Sequence, residues 1–413
     1  MLQLVDIAIA SVDDYRSIVG NDVIDRLHAL ANDLRGVRIL HVNATAYGGG
    51  VSELLRSSVS IQRGLGLDVE WRVISGSQSF FEVTKSIHNA LQGGEYNFSS
   101  EARETYLLQN SYNAQQLEGD YDFVVVHDPQ PAALLHFHGH DNHKWIWRCH
   151  IDTSTPNEDV LQSLLPFIDE YDALVFTLGQ FVPETLQDRN VHLIPPGIDP
   201  LSPKNFEIPD DQCRRILAWV GVHPDEPIMT QVSRFDPWKD PLGVVRVYRQ
   251  VRESVPNLQL ALLGSLALDD PQAWDLLREV QKETSSDPQI LVATNLTGIG
   301  NTEVNVFQRT SDVVLQKSIR EGFGLIVSET LWKGTPMVAG NTGGIPMQMP
   351  DGVGGYLVDP LDEREMANKA LSLLRDQNQA RILGSRGKEH IREHFLITRM
   401  IEQELTLFKS LVG

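Results

Sequence analysis

Short apolar, β-branched runs alternate along this chain with longer stretches in which apolar positions recur at helical spacing. That alternation is the mark of an α/β fold with a mostly parallel sheet. In the first half the apolar runs predict strands at Val37–Val42, Val69–Ile74, Phe123–Val126, Trp145–Trp147, Leu174–Phe176 and His192–Ile194. In the second half they fall at Ile228–Val232, Leu258–Leu263, Ile290–Ala293, Val313–Leu315 and Met337–Ala339. Helical patterns are expected from Ser52 to Gln62 and from Met400 to Leu411. Two such arrays imply two Rossmann-like domains. Their junction is expected at Pro195-Pro196-Gly197, followed by a polar linker from Pro200 to Asp211, because the prolines end a strand. The divisions are 1–196, 197–390 and a closing segment 391–413. Ligands of open α/β sheets bind beyond the carboxyl ends of the strands, so two facing sheets would form a cleft.

Length agrees with this division, since 413 residues exceed what one core usually fills. The net charge of -20 opposes nonspecific attraction to DNA or an anionic membrane, so neither is an expected partner. Cys149 and Cys213 are too few for a disulfide framework or a thiolate metal site, which suits a reducing cytoplasm. Met1 to Asp14 has no basic region and meets Asp6, Asp13 and Asp14 early, unlike a secretory leader. The apolar runs fall short of the roughly 20 residues of a membrane span.

Candidate chemistry gathers just after predicted strands. Ser233-Arg234-Phe235-Asp236-Pro237-Trp238-Lys239 follows Ile228–Val232 and carries two cations in a loop that Pro237 and Pro241 stiffen. Such a pair can neutralise a diphosphate leaving group. Glu321-Gly322-Phe323-Gly324-Leu325-Ile326-Val327-Ser328-Glu329 breaks the chain before a helical run, which turns unpaired amides toward an anion and sets a carboxylate on either side. Tyr47-Gly48-Gly49-Gly50-Val51 removes side chains where a backbone must approach another group, although an ordinary tight turn has the same composition. His127 and Asp128 close one strand, and His150 and Asp152 follow another. A lone histidine beside an apolar strand is commonly a satisfied core residue, and exposed Arg, Lys and Glu are commonly solvated, so context decides these assignments. Gly343-Gly344-Ile345-Pro346 is either a turn or a nucleotide-side loop.

The Arg234 and Lys239 pair, the Glu321 and Glu329 pair, and Pro195-Pro196-Gly197-Ile198-Asp199 resemble the signatures of retaining GT-B glycosyltransferases of glycosyltransferase family 4. The resemblance spans nearly the whole chain. Within that group, Val126-His127-Asp128-Pro129-Gln130-Pro131 and Trp145-Ile146-Trp147-Arg148-Cys149-His150-Ile151-Asp152 most resemble the trehalose glycosyltransferring synthases, which join a nucleotide-linked glucose to free glucose. The resemblance implies a closing helix that crosses back to the N-terminal domain. It implies that Arg234 and Lys239 bind the donor diphosphate, that Glu329 binds the ribose hydroxyls, and that Glu321 binds the C3 hydroxyl of the transferred sugar. Amides from Phe323, Gly324 and Leu325 would lie near the phosphates, with Gly49 and Gly50 closing over the donor and His150 on its glucose. Tyr47, His127, Asp128 and Asp152 would line the acceptor side.

The activity expected is transfer of glucose from UDP-glucose or ADP-glucose to free glucose, giving trehalose, in either direction and with retention. A trehalose phosphorylase, or a related transferase using fructose, glycerol, glycerate or a sugar phosphate, is the alternative within the class. A non-catalytic sugar-nucleotide sensor is the alternative outside it. His136, His138, His140 and His143 crowd together in a polar, glycine-broken segment that reads as a solvated loop. Asp120-Tyr121-Asp122 precedes its strand, at the wrong sheet end for a metal-bound nucleotide. No metal or cofactor is therefore expected to be required, with room for Mg2+ to stimulate. Sugars are the expected partners, and a homodimer is compatible with them.

Overall fold

The structure, a computed structural model, describes residues 1–266 and 271–412. Its internal contacts divide the chain into two units, Met1–Gly197 with Ile397 onward, and Ile198–Leu396.

Unit 1 holds a seven-stranded sheet: β1 (Gln3–Leu4), β2 (Arg38–Asn43), β3 (Asp68–Val73), β4 (Phe123–His127), β5 (Lys144–Cys149), β6 (Ala173–Phe176) and β7 (Val191–Leu193). The spatial order is β1-β3-β2-β4-β5-β6-β7, and only the β1 edge is antiparallel. Because side chains alternate across a strand, Leu40, Val42, Val124, Val126, Trp145 and Trp147 build one apolar layer, while Ile39, Phe123, Val125, Ile146 and Val175 build the other. The closing helix Ile397–Val412 covers this second layer, with Phe408 stacked on Phe123 at 4.9 Å.

Unit 2 is an all-parallel, six-stranded sheet: β8 (Ile228–Val232), β9 (Gln259–Gly264), β10 (Ile290–Thr294), β11 (Val313–Gln316), β12 (Met337–Gly340) and β13 (Gly355–Val358). Its order is β10-β9-β8-β11-β12-β13. From β8 the chain moves outward in one direction and from β11 in the other. The strand order therefore reverses between them, where open α/β sheets bind ligands. In unit 1 the same reversal falls between β2 and β4.

The structure corrects three sequence expectations here. Strands β1 and β13 were not foreseen: β1 is a two-residue edge, and β13 begins at Gly355, behind glycines that read as a turn. The stretch from Pro200 to Asp211 is not a free linker, since Asn205 and Ile208 are buried in unit 2. Finally, His136 and His138 lie on a short helix, Leu134–His138, and His138 and His143 pack on Trp145 rather than lying in a solvated loop. The indole removes water from both rings.

Candidate active site

At the switch point of unit 2, the loop after β8 and the loop after β11 are stitched together. The Ile319 amide donates to the Trp238 carbonyl at 2.8 Å, and Gln231 Nε2 donates to the Lys239 carbonyl at 2.7 Å. Lys239 Nζ donates to Glu321 Oε2 at 2.7 Å, and the same oxygen accepts from Gln316 Nε2 at 3.0 Å and Ser318 Oγ at 3.1 Å. Burial alone would raise the Glu321 carboxyl, but Lys239 and these hydrogen bonds hold it below its ordinary value, so it is charged at neutral pH. Arg234 is exposed and pairs with its neighbour Asp236 at 3.2 Å. It is thus an exposed cation beside a half-buried, multiply bonded one.

Lys239 is held by a support that sequence reasoning missed. Asp240, in the left-handed region at φ 42°, caps helix Pro241–Arg252 by accepting the Gly243 amide at 2.9 Å. Lys317, which directly follows β11 and is buried, pairs with Asp240 and donates to the Pro360 carbonyl at 2.8 Å. A lysine after an apolar strand carried no distinguishing signal. Its partner lies 77 positions away.

Helix Leu325–Trp332 starts at Gly324, whose φ of 81° suits glycine. Glu329 is buried on that helix, 3.3 Å from Gln308 Nε2 and 3.8 Å from Lys204 Nζ. Beneath it, Lys333 donates to the Glu329 carbonyl and to Asn205, and burial pushes its ammonium down to about 7. Phe323 packs on Phe395, with centroids 5.6 Å apart. The Gly343-Gly344 loop seats directly on the Glu321 loop: Gly344 donates to the Gly322 carbonyl at 2.8 Å, and a Cβ at Gly343 would stand 1.7 Å from the Glu321 carbonyl oxygen. Close backbone approach, rather than a turn alone, accounts for those glycines.

In unit 1 the glycine-rich loop leaves β2 with Gly48 and Gly49 at φ 74° and 96°, and helix Gly50–Gly64 follows. Tyr47 is 78% exposed, with Arg56 over its ring at 5.5 Å. On the face shared with Ile39 and Val125, three imidazoles run from strand to strand. His41 Nδ1 lies 3.0 Å from His127 Nε2, and His127 Nδ1 lies 2.9 Å from His150 Nε2. Burial, reinforced by the Arg148 cation, pushes His41 down to about 3 and holds His127 and His150 well below the ordinary histidine value. Arg148 itself is buried against Glu404, which also accepts from Gln62 at 3.0 Å and Ser58 at 3.3 Å. His41 was not singled out from the sequence, though a histidine inside the apolar run Ile39–Val42 was the available signal. Asp152 accepts the Ser154 amide at 2.9 Å and is buried in its own turn.

Asp128 takes φ 65°, and its carboxylate accepts the His150 amide at 2.8 Å. Burial, only partly opposed by that amide and by Arg148, pushes its carboxyl up to about 7. From its ordinary value of 3.8 to about 7, the folded chain keeps a proton that the unfolded chain has released, so this group makes stability fall as pH rises through that window. Asp128→Asn, which keeps an acceptor and tolerates the left-handed region, removes that slope. Urea unfolding from pH 4 to 8 should show the variant gaining on the parent, by on the order of 3 kcal/mol above pH 7. Parallel curves for the two proteins would refute the buried protonated carboxyl.

His138, Asp141 and His143 present donor atoms within 4.8 Å of one another. That spread is wider than the about 3.4 Å edge of a tetrahedral zinc shell, and the cluster precedes β5, at the sheet end opposite His150. Asp122 of the Asp120-Tyr121-Asp122 sequence accepts the Arg38 amide at 2.8 Å at that same end.

Two tandem Rossmann-like sheets, the second with a cation–carboxylate pair at its switch point, define the class: the chain is a glycosyltransferase of the GT-B fold. A solved sucrose-phosphate synthase from Thermosynechococcus elongatus shares that fold, with a TM-score of 0.73 over 91% of this chain and 99% of its own, at 19% identity. Residues 41–183 match the family described as "Trehalose synthase, N-terminal domain", and residues 216–390 match "Glycosyl transferases group 1". The trehalose synthase of Rubrobacter xylanophilus is 49% identical over 418 positions spanning both chains completely, and that of Pyrococcus horikoshii is 43% identical over 97% of each. The chain belongs to the trehalose synthase family. Among the described residues, no helix is long and apolar enough to cross a membrane.

Proposed function

We propose that the chain moves glucose from a nucleoside-diphosphate glucose to free glucose, forming trehalose with retention at the anomeric carbon. One observation carries the donor half of this reading: a lysine paired with a charged, half-buried carboxylate at the switch point of unit 2, beside a glycine-opened helix. Lys239 and Arg234 supply positive charge where a diphosphate leaving group gathers negative charge, which lowers the barrier to breaking the glycosidic bond. Three donors converge on Glu321 Oε2. The carboxylate is thereby held in place to accept from a hydroxyl of the transferred glucose. Glu329 is the ribose partner, and the amides of Phe323, Gly324 and Leu325 meet the phosphates.

In unit 1, His150 contacts the transferred glucose, while His127, Asp128, Tyr47 and Asp152 lie on the acceptor side. The departing phosphate takes the proton of the attacking hydroxyl on the face it leaves. Lys239 and Arg234 would offset the diphosphate charge themselves, so in this reading no metal or cofactor is required, with room for Mg2+ to stimulate. Two free, buried cysteines fit a cytoplasmic setting.

The test incubates the purified protein with UDP-glucose or ADP-glucose and free glucose, with and without EDTA, and follows nucleotide release and trehalase-sensitive disaccharide. Glucose-dependent release with trehalose formed, unchanged by EDTA, is expected. Release without trehalose would displace the acceptor assignment. Glucosyl transfer that requires orthophosphate and no nucleotide would replace the proposal with a phosphorylase.

A further inference from the structure

The three-histidine run in unit 1 has a directionality that its geometry resolves. Each neutral imidazole carries a single N–H, so two hydrogen bonds among three rings permit only two concerted proton orders. In the first, His41 donates from Nδ1 to His127 Nε2, His127 donates from Nδ1 to His150 Nε2, and His150 is left with a free Nδ1–H. In the second, every donor is reversed and the surplus N–H falls on His41 Nε2. That atom is fully buried and, among the described residues, has no hydrogen-bond partner. The second order would therefore bury an orphaned N–H, whereas the first buries only a bare ring nitrogen. Orphaned buried donors are the rarer and costlier state.

We propose that the sealed end of the run, His41 and His127, fixes His150 as the Nδ1–H tautomer, so that His150 meets its sugar as a hydrogen-bond donor to a sugar oxygen. In this respect both are positioning residues, since they act on the sugar through His150. His150 is the half-buried member of the run, directly beyond β5, and the other two are sealed within the sheet face. Burial and the Arg148 cation keep the rings neutral, which the argument requires because a charged ring would donate from both nitrogens. The sugar's identity rests on the function proposed above, whereas the tautomer does not.

The experiment uses the full chain with 15N-labelled histidine. Long-range proton–nitrogen correlation separates pyrrole-type from pyridine-type ring nitrogens, and the His150 signals are assigned by their loss in His150→Asn. The wild type should show Nδ1 protonated and Nε2 bare at His150. His127→Leu removes the N–H that His150 Nε2 accepts. It should let the half-buried His150 move toward the Nε2–H form and lower kcat/KM for the accepted sugar nucleotide about tenfold. His127→Asn, whose amide can donate from the Nδ1 position, should restore the spectrum. In a folded His41→Leu the reversed order would strand an N–H on the buried His127 Nε2, so His150 should stay Nδ1–H. An Nε2–H pattern at His150 in the wild type overturns the proposal, as does an unchanged tautomer in a folded His127→Leu. Should that variant not fold, the wild-type spectrum and His127→Asn still decide. The expected tautomer in a protein that turns over no sugar nucleotide would uphold the histidine order and reject the function.

Discussion

Lys239→Ala should lower kcat about a thousandfold while leaving the protein folded, because it deletes the fixed positive charge beside the departing diphosphate. The ground-state diphosphate still meets Arg234 and the helix amides, so KM for the sugar nucleotide should rise much less than kcat falls. A second effect comes from Glu321, which Lys239 holds below its ordinary carboxyl value against the cost of burial. In the wild type that depressed value contributes stability above the unfolded pKa, and the contribution is lost as pH falls through the folded one. Without Lys239, burial raises the Glu321 carboxyl instead, so stability should fall as pH rises from acid toward neutrality. Lys239→Arg keeps the charge and should keep the pH profile, although its forked head cannot reproduce a point contact. Kinetics of these variants, with urea unfolding from pH 4 to 8, check both claims. A Lys239→Ala enzyme with wild-type kcat would remove Lys239 from the chemistry. One that is slow but keeps the wild-type pH dependence of stability would break the link to Glu321.

The part of this arrangement that could be read from the sequence follows the range of the interactions. Strand β8 was legible residue for residue because Ile228–Val232, with apolar and β-branched residues at four of five positions, is closed by a polar, proline-bearing loop. The strand at Gly355–Val358 was not, because its apolar run, Tyr356-Leu357-Val358, is only three residues long and stands directly behind Gly354 and Gly355. Lys239 and Glu321 were each legible as site residues, since each sits in a loop that punctuates a strand. Their contact was not, because they stand 82 positions apart and meet only through the pairing of β8 with β11. His41 is harder still. Its meaning depends on β2 lying beside β4 in a register that sets His41 opposite Val125, one pleat from His127. Spacing along a single strand records none of that. Local chemistry is thus written locally, and side chains that support it from a neighbouring strand are not.

Lys317 tests the same point through stability. It is 1% exposed, and Asp240 and the Pro360 carbonyl are its anchors. Lys317→Met keeps much of the side-chain volume but removes the nearer cation of Asp240, leaving a partly buried carboxylate in a left-handed backbone conformation with only the more distant Arg246, at 3.9 Å, beside it. Removing one member of a buried pair costs about 3 to 5 kcal/mol, so urea unfolding should place the variant that far below the parent. Asp240→Asn keeps the cap on helix Pro241–Arg252 and tolerates the backbone, and it removes the stranded charge. Lys317→Met/Asp240→Asn should therefore recover a large part of the loss, a non-additivity expected of contacting residues. Because Asp240 directly follows Lys239, loss of the pair also frees the loop that presents that ammonium. The kcat of the folded Lys317→Met enzyme should then fall about tenfold, and it should recover partly in the double variant. A single variant that loses stability yet keeps its full kcat would confine the Lys317–Asp240 pair to holding unit 2 together. The position of Lys239 would then have to come from its contacts with Glu321, Gln231 and the Asp236 carbonyl.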